Sequence, residues 1–148
     1  MNSGSSSNQK SDTPHNAVKI LIVDDEPDIA TLLSIGLSKE GFVVDTFQHP
    51  ELALSKFKPG YYQLSLLDIK MPIMNGFQLY RRLKEKDPAL PVCFMTAFEI
   101  YPEEYQKVFP QHDVRAFIKK PVALKALQKI IRDILQNEFD SKSESSSQ

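Results

Sequence analysis

Cysteine is nearly absent: Cys93 is the one thiol in 148 residues, so no internal disulfide can form and no Cys-rich metal spacing exists. A reducing, cytoplasmic setting is the expectation that follows. Net charge is also close to nil, with 18 Lys+Arg against 19 Asp+Glu and a formal charge of −1. A dedicated nucleic-acid module usually presents a net basic face to phosphates, so direct nucleic-acid binding is not expected. Long apolar runs are missing too. The longest near the N-terminus is Ile20 to Val23, far short of the roughly 18 residues that cross a bilayer. The first residues are polar and lack the apolar centre of a secretory signal, so neither export nor membrane insertion is expected. His15, His49 and His112 share no spacing suited to a metal or a catalytic pair.

What is present suits one ordinary domain. With 41% hydrophobic residues, the chain can bury its own core without metal or disulfide staples. Met1 to Asn16 is dominated by Ser, Asn, Gln, Lys and Asp, and is expected to be disordered, as is Ser141 to Gln148. The body, residues 17–140, is of single-domain length and shows no internal repeat. Short apolar runs alternate in it with helical patterns. Strands are expected at Val18 to Val23, Phe42 to Phe47, Leu64 to Leu67, Val92 to Met95 and Ala116 to Ile118. Helices are expected from Pro27 to a stop at Gly41, from Pro50 through Phe57, from Gly76 to Lys86, and from about Val122 to Phe139. A fifth, around Glu103 to Phe109, is kept short by Pro102 and Pro110. Such alternation predicts an α/β fold: a doubly wound, five-stranded parallel sheet with helices on both faces.

In sheets of this kind ligands sit beyond the carboxyl ends of the strands. Asp24 and Asp25 follow the first strand, Asp68 the third, Thr96 the fourth, and Lys119 and Lys120 the fifth. Three carboxylates, a hydroxyl and an ammonium should therefore meet on one edge. Crowded carboxylates repel, and a small divalent cation relieves the repulsion. A ligand set without His or Cys favours Mg²⁺, or Mn²⁺, over zinc. Asp68 can also be a nucleophile, since aspartyl phosphate is an established covalent intermediate. Phosphoryl transfer asks the protein mainly for placement and cancellation of charge, which a metal, a lysine and a hydroxyl can supply.

The strings LIVDDEPD, LSLLDIKMPIMNG, FMTAF and FIKKPV together resemble the receiver domain of two-component response regulators, in its CheY-like, single-domain form. The likeness spans about Val18 to Phe139 and implies a flavodoxin-like fold with strand order 2-1-3-4-5 and five helices. It implies that Asp68 is the phosphoacceptor. Asp25 would be a direct metal ligand, Asp24 a ligand acting largely through water, and the Lys70 backbone carbonyl a further ligand. Lys120 would bind phosphate, and its bond to Pro121 would be cis. Thr96 and Phe117 would form a switch that reshapes the face made by the fourth helix, fifth strand and last helix. The partners implied are a histidine kinase or phosphotransfer protein upstream and an unidentified protein downstream. No DNA-binding or enzymatic region is expected after the last helix. Such a chain is a signalling phosphoacceptor that catalyses its own phosphorylation and dephosphorylation. Two alternatives stand beside it: a phosphatase of the haloacid dehalogenase type, which would want its nucleophile after the first strand, and a degenerate receiver serving only as a binding module.

Overall fold

The computed structural model describes residues 17–98, 107, 109 and 113–146, with side chains to residue 140. Five parallel strands form one sheet: β1 (Lys19–Val23), β2 (Val43–Phe47), β3 (Leu64–Asp68), β4 (Val92–Thr96) and β5 (Val114–Lys119). Their order is β2-β1-β3-β4-β5, the flavodoxin-like arrangement that the resemblance implied. The chain winds outward from β1 to β2, then returns to β3 on the opposite side, so the winding reverses between β1 and β3.

Helices α1 (Pro27–Lys39), α2 (Pro50–Lys56), α3 (Gly76–Lys86) and α4 (Leu124–Ser146) cover both faces. Side chains alternate along a strand, and in β1 both sets are apolar and buried. Leu21 and Val23 point into a core closed by Ala53 of α2 and by Leu79, Tyr80 and Leu83 of α3. Ile20 and Ile22 point into the other, closed by Leu33 and Leu37 of α1 and by Leu127, Ile131 and Ile134 of α4. Cys93 lies in this second core, where burial pushes its thiol up to about 12 and keeps it a small neutral packing group.

Local sequence explains the helix limits. Pro27 and Pro50 occupy the first turns of α1 and α2, where a missing N–H costs nothing. After α1 the Gly41 N–H donates to Ser38 O at 3.0 Å and the Phe42 N–H to Leu37 O at 3.3 Å. This closing motif needs the positive φ of 94° that Gly41 adopts. At α3 the Asn75 side chain accepts from the Gln78 N–H, and the Gln78 side chain accepts from the Asn75 N–H, both at 2.9 Å. That reciprocal cap fixes the start of α3.

Two expectations change. Strand β5 is longer than Ala116 to Ile118, because Val114 also pairs with Val92, across a register irregularity between Val92 and Cys93 that hides the alternation. The last helix does not end at Phe139 but continues to Ser146, into the segment expected to be a disordered tail. Lys142 and Glu144 are helix formers, and neither Pro nor Gly interrupts the stretch. Residues 1–16 and most of the helix expected around Glu103 to Phe109 lie outside the described residues, as do His15 and His112.

Candidate functional site

Strand register sets the site. Val23 pairs with Leu67, Asp68 with Met95, and Thr96 with Lys119. Asp24, Asp68, Thr96 and Lys120 therefore leave four different strand ends at nearly the same level. The Lys120 N–H donates to Thr96 O at 2.7 Å, which ties the ends of β4 and β5 together. The Lys120–Pro121 bond is cis. Behind Asp68, α3 begins at Gly76, whose N–H donates to Ile69 O at 2.8 Å. A Cβ at Gly76 would lie 2.4 Å from the Asp68 carbonyl oxygen, so the approach of helix to strand end requires glycine.

One carboxylate oxygen from each of Asp24, Asp25 and Asp68 lies within 4.8 Å of the other two. Asp24 is fully buried; its Oδ1 accepts from the Glu26 N–H at 2.9 Å. Its Oδ2 lies 2.8 Å from Lys120 Nζ, close in charge but outside hydrogen-bond geometry, so it has no hydrogen-bond partner among the described residues. Lys120 Nζ also contacts Glu26 Oε1 at 2.9 Å and Asp68 Oδ2 at 3.5 Å. The buried Thr96 uses Oγ1 to accept the Phe98 N–H at 3.1 Å. Its own O–H is left as a donor.

This crowding shifts the proton equilibria. Burial, then the charge of Asp24, raises the Asp68 carboxyl from 3.8 to about 7, with Lys120 pulling the other way and Asp25 adding to the rise. Burial works against the Lys120 charge, but its close contacts with Asp24 and Glu26 and the Asp68 charge outweigh that, and its pKa rises above the usual lysine range. Lys120 stays an ammonium, while Asp68 resists holding a negative charge unaided.

Such a set fits a small hard cation. Three carboxylates each offer an oxygen to one point, and their mutual repulsion is what a divalent ion removes. The residues open onto a cleft of about 490 Å³ lined also by Lys70, Met71, Pro72, Ala97 and Phe98. On its rim the Lys70 ammonium lies 4.6 Å from the Phe98 ring centroid, a cation–π contact.

Asp24, Asp25, Asp68, Thr96 and Lys120 are thus brought together, with Lys70 beside them. Phe117 is not among them. It is half-buried on β5, stacked on Phe94 at 5.6 Å and tilted against Phe109 at 6.4 Å. Lys119 is exposed at the end of β5. The residue that motif reading passed over is Glu26, which reaches Lys120. Its signal is a long side chain directly before Pro27, where a short capping one is usual.

Response regulator receiver domains, as a family, match residues 20–132. The transcriptional regulatory protein GlrR of Escherichia coli is 31% identical over 122 residues, which cover 82% of this chain and 27% of that protein. The response regulator ArlR of Staphylococcus aureus is 31% identical over 121 residues, 81% of this chain and 53% of that one. The chain thus spans about a quarter to a half of the length of these relatives. Among solved structures, a CheY-like receiver domain protein of Methanospirillum hungatei superposes with a TM-score of 0.75 at 25% identity, covering 85% of this chain and 99% of that one. The response regulator TrrA of Thermotoga maritima, solved in complex with Mg²⁺ and a beryllium fluoride, has a TM-score of 0.65 at 30% identity over 78% of this chain and 97% of that one. With this match running from β1 into α4, and with an acidic cluster at the sheet's reversal point, the chain belongs to the response regulator receiver family, the phosphoacceptor signalling modules of two-component systems.

Proposed function

We propose that this domain takes a phosphoryl group onto Asp68 from the phosphohistidine of a histidine kinase or phosphotransfer protein, with Mg²⁺ held by Asp24, Asp25, Asp68 and the Lys70 carbonyl. The observation that carries the reading is the meeting of three carboxylates and the Lys120 ammonium around one buried, hard-to-ionise aspartate. Bound there, Mg²⁺ supplies positive charge that relieves the carboxylates and the phosphoryl oxygens. An ionised Asp68 oxygen attacks phosphorus. The O–P bond forms as the donor's P–N bond breaks, and the imidazole leaves with the electron pair. Lys120 faces the transferring oxygens as a fixed ammonium, and the free Thr96 O–H donates one hydrogen bond to them. Water later attacks the same phosphorus, releasing phosphate and restoring the carboxylate, so the domain serves its own phosphorylation and dephosphorylation.

The phosphoryl group adds roughly −1.5 to −2 charge. Thr96 moves toward it, and Phe117 turns into the vacated space from its stack on Phe94. The surface of β5 and α4 changes shape, and a protein partner reads it. We read the output as protein contacts of this kind. Control of transcription is the second reading, favoured by the similarity to the transcriptional regulatory protein GlrR. The full chain, with and without Mg²⁺ and beryllofluoride, should bind no duplex DNA on the first reading and should bind it on the second.

Incubation with a small acyl phosphate and Mg²⁺, followed by intact mass measurement, tests the chemistry. One phosphoryl adduct per chain is expected, abolished by Asp68→Asn and by chelation of the metal. Absence of an adduct with every competent donor would leave only the binding-module reading.

A further inference from the structure

Helix N-caps favour Ser, Thr, Asp or Asn, whose short side chains reach the first free N–H groups. Helix α1 has Glu26 there instead, in extended backbone and with no side-chain capping bond. Its carboxylate goes elsewhere: Oε1 accepts from Lys120 Nζ at 2.9 Å, across 94 positions of sequence. The backbone serves the helix regardless. The Glu26 carbonyl accepts from the Ala30 N–H at 3.1 Å, and its N–H donates to Asp24 Oδ1 at 2.9 Å. The side chain can therefore change while the helix start stays in place.

Lys120 has three claimants, at 2.8 Å for Asp24, 2.9 Å for Glu26 and 3.5 Å for Asp68. Its ammonium sits closer to Glu26 than to Asp68. We propose that Glu26 is a positioning residue that draws the Lys120 ammonium away from Asp68 and surrenders it when Asp68 carries a phosphoryl group, so that its carboxylate restrains occupancy of the site. The inference rests on Asp68 being the phosphoacceptor. To follow a phosphoryl oxygen on Asp68, the ammonium must loosen one of its two nearer contacts, with Asp24 or with Glu26. Releasing Asp24 would take the ammonium from a fully buried carboxylate that water cannot reach. Glu26 is 59% exposed, so water replaces Lys120 on it readily. Glu26 is the partner that leaves, and until it leaves its charge also opposes the incoming anion.

The test compares the full chain with Glu26→Gln and Glu26→Ala, using beryllofluoride at saturating Mg²⁺ as the probe and calorimetry as the readout. Both variants should bind beryllofluoride about two- to fivefold more tightly than wild type at low salt, the range open to a partly exposed ion pair. The gain should shrink at about 0.5 M salt, where the Debye length is only about 4 Å. A merely structural role would weaken binding and would not depend on salt. Unchanged or weaker affinity in Glu26→Gln, or a gain that salt leaves intact, overturns the proposal. If wild type binds no beryllofluoride, the phosphoacceptor reading falls and takes this with it. If wild type binds and both variants match it, only the role of Glu26 falls.

Discussion

Replacing Asp68 by Asn should make the metal-free domain more stable. Asp68 is buried beside Asp24 and Asp25, and its carboxyl is raised from 3.8 to about 7. The folded state therefore holds the Asp68 proton more tightly than the unfolded chain does. Between those two values, each rise of one pH unit costs the wild type up to about 1.4 kcal/mol. The sign is opposite to that of a salt-bridged aspartate: stability is fullest below the unfolded value and falls until pH passes the folded one. Over the whole interval the loss reaches about 4 kcal/mol, taking the amide to pack as the neutral acid does. Lys120 keeps Asp24 and Glu26 as partners in the variant, so no ammonium is stranded. Urea unfolding of both proteins with a chelator, at about pH 4 and about pH 8, checks this by linear extrapolation. Near pH 4 the two should agree closely, and near pH 8 Asp68→Asn should be ahead by up to about 4 kcal/mol. Added Mg²⁺ should then stabilise wild type by about 2.7 kcal/mol at a hundredfold excess over its dissociation constant, and the variant far less. A difference independent of pH, or a variant less stable at pH 8, would refute the reasoning that links burial at this position to its chemistry.

Gly76→Ala puts a methyl 2.4 Å from the Asp68 carbonyl oxygen. It should cost about 1–3 kcal/mol in denaturant unfolding and slow labelling of Asp68 by the mass assay. Thr96→Ala removes the acceptor of the Phe98 N–H; a loss of about 1 kcal/mol in unfolding is expected. The same variant should still label at Asp68, but without a phosphoryl-dependent change in the environment of Phe117 as followed by NMR. Phe98→Ala deletes the ring under the Lys70 ammonium at the cleft rim. Water should then reach the acyl phosphate more freely, and the phosphoryl half-life should fall; an unchanged half-life would discard the shielding role.

Much of this is legible in the sequence. The consecutive apolar residues Ile20 to Val23 reveal a strand buried on both faces, because only such a strand lacks a polar alternate. The limits of α3 are readable from Gly76 to Lys86 because Asn75 caps its start and Pro88 follows its end. The convergence of Asp24, Asp68, Thr96 and Lys120 is readable for a related reason: in a parallel sheet, residues after strand ends share one edge whatever their separation in sequence. The end of α4 is not readable, since the sequence past Phe139 carries neither an apolar period nor a helix breaker. The role of Glu26 is hidden as well. Its partner lies on another strand end, and nothing local in the Asp-Asp-Glu run says which carboxylate turns toward Lys120 and which toward the metal site.

A crystal structure of the full chain grown with Mg²⁺ and beryllofluoride would test the central claim most directly. The account predicts beryllofluoride on an Asp68 oxygen, within hydrogen-bond reach of Lys120 and Thr96, and one Mg²⁺ about 2.0–2.1 Å from oxygens of Asp25 and Asp68. An ion bound elsewhere, or beryllofluoride on a carboxylate other than Asp68, would contradict it.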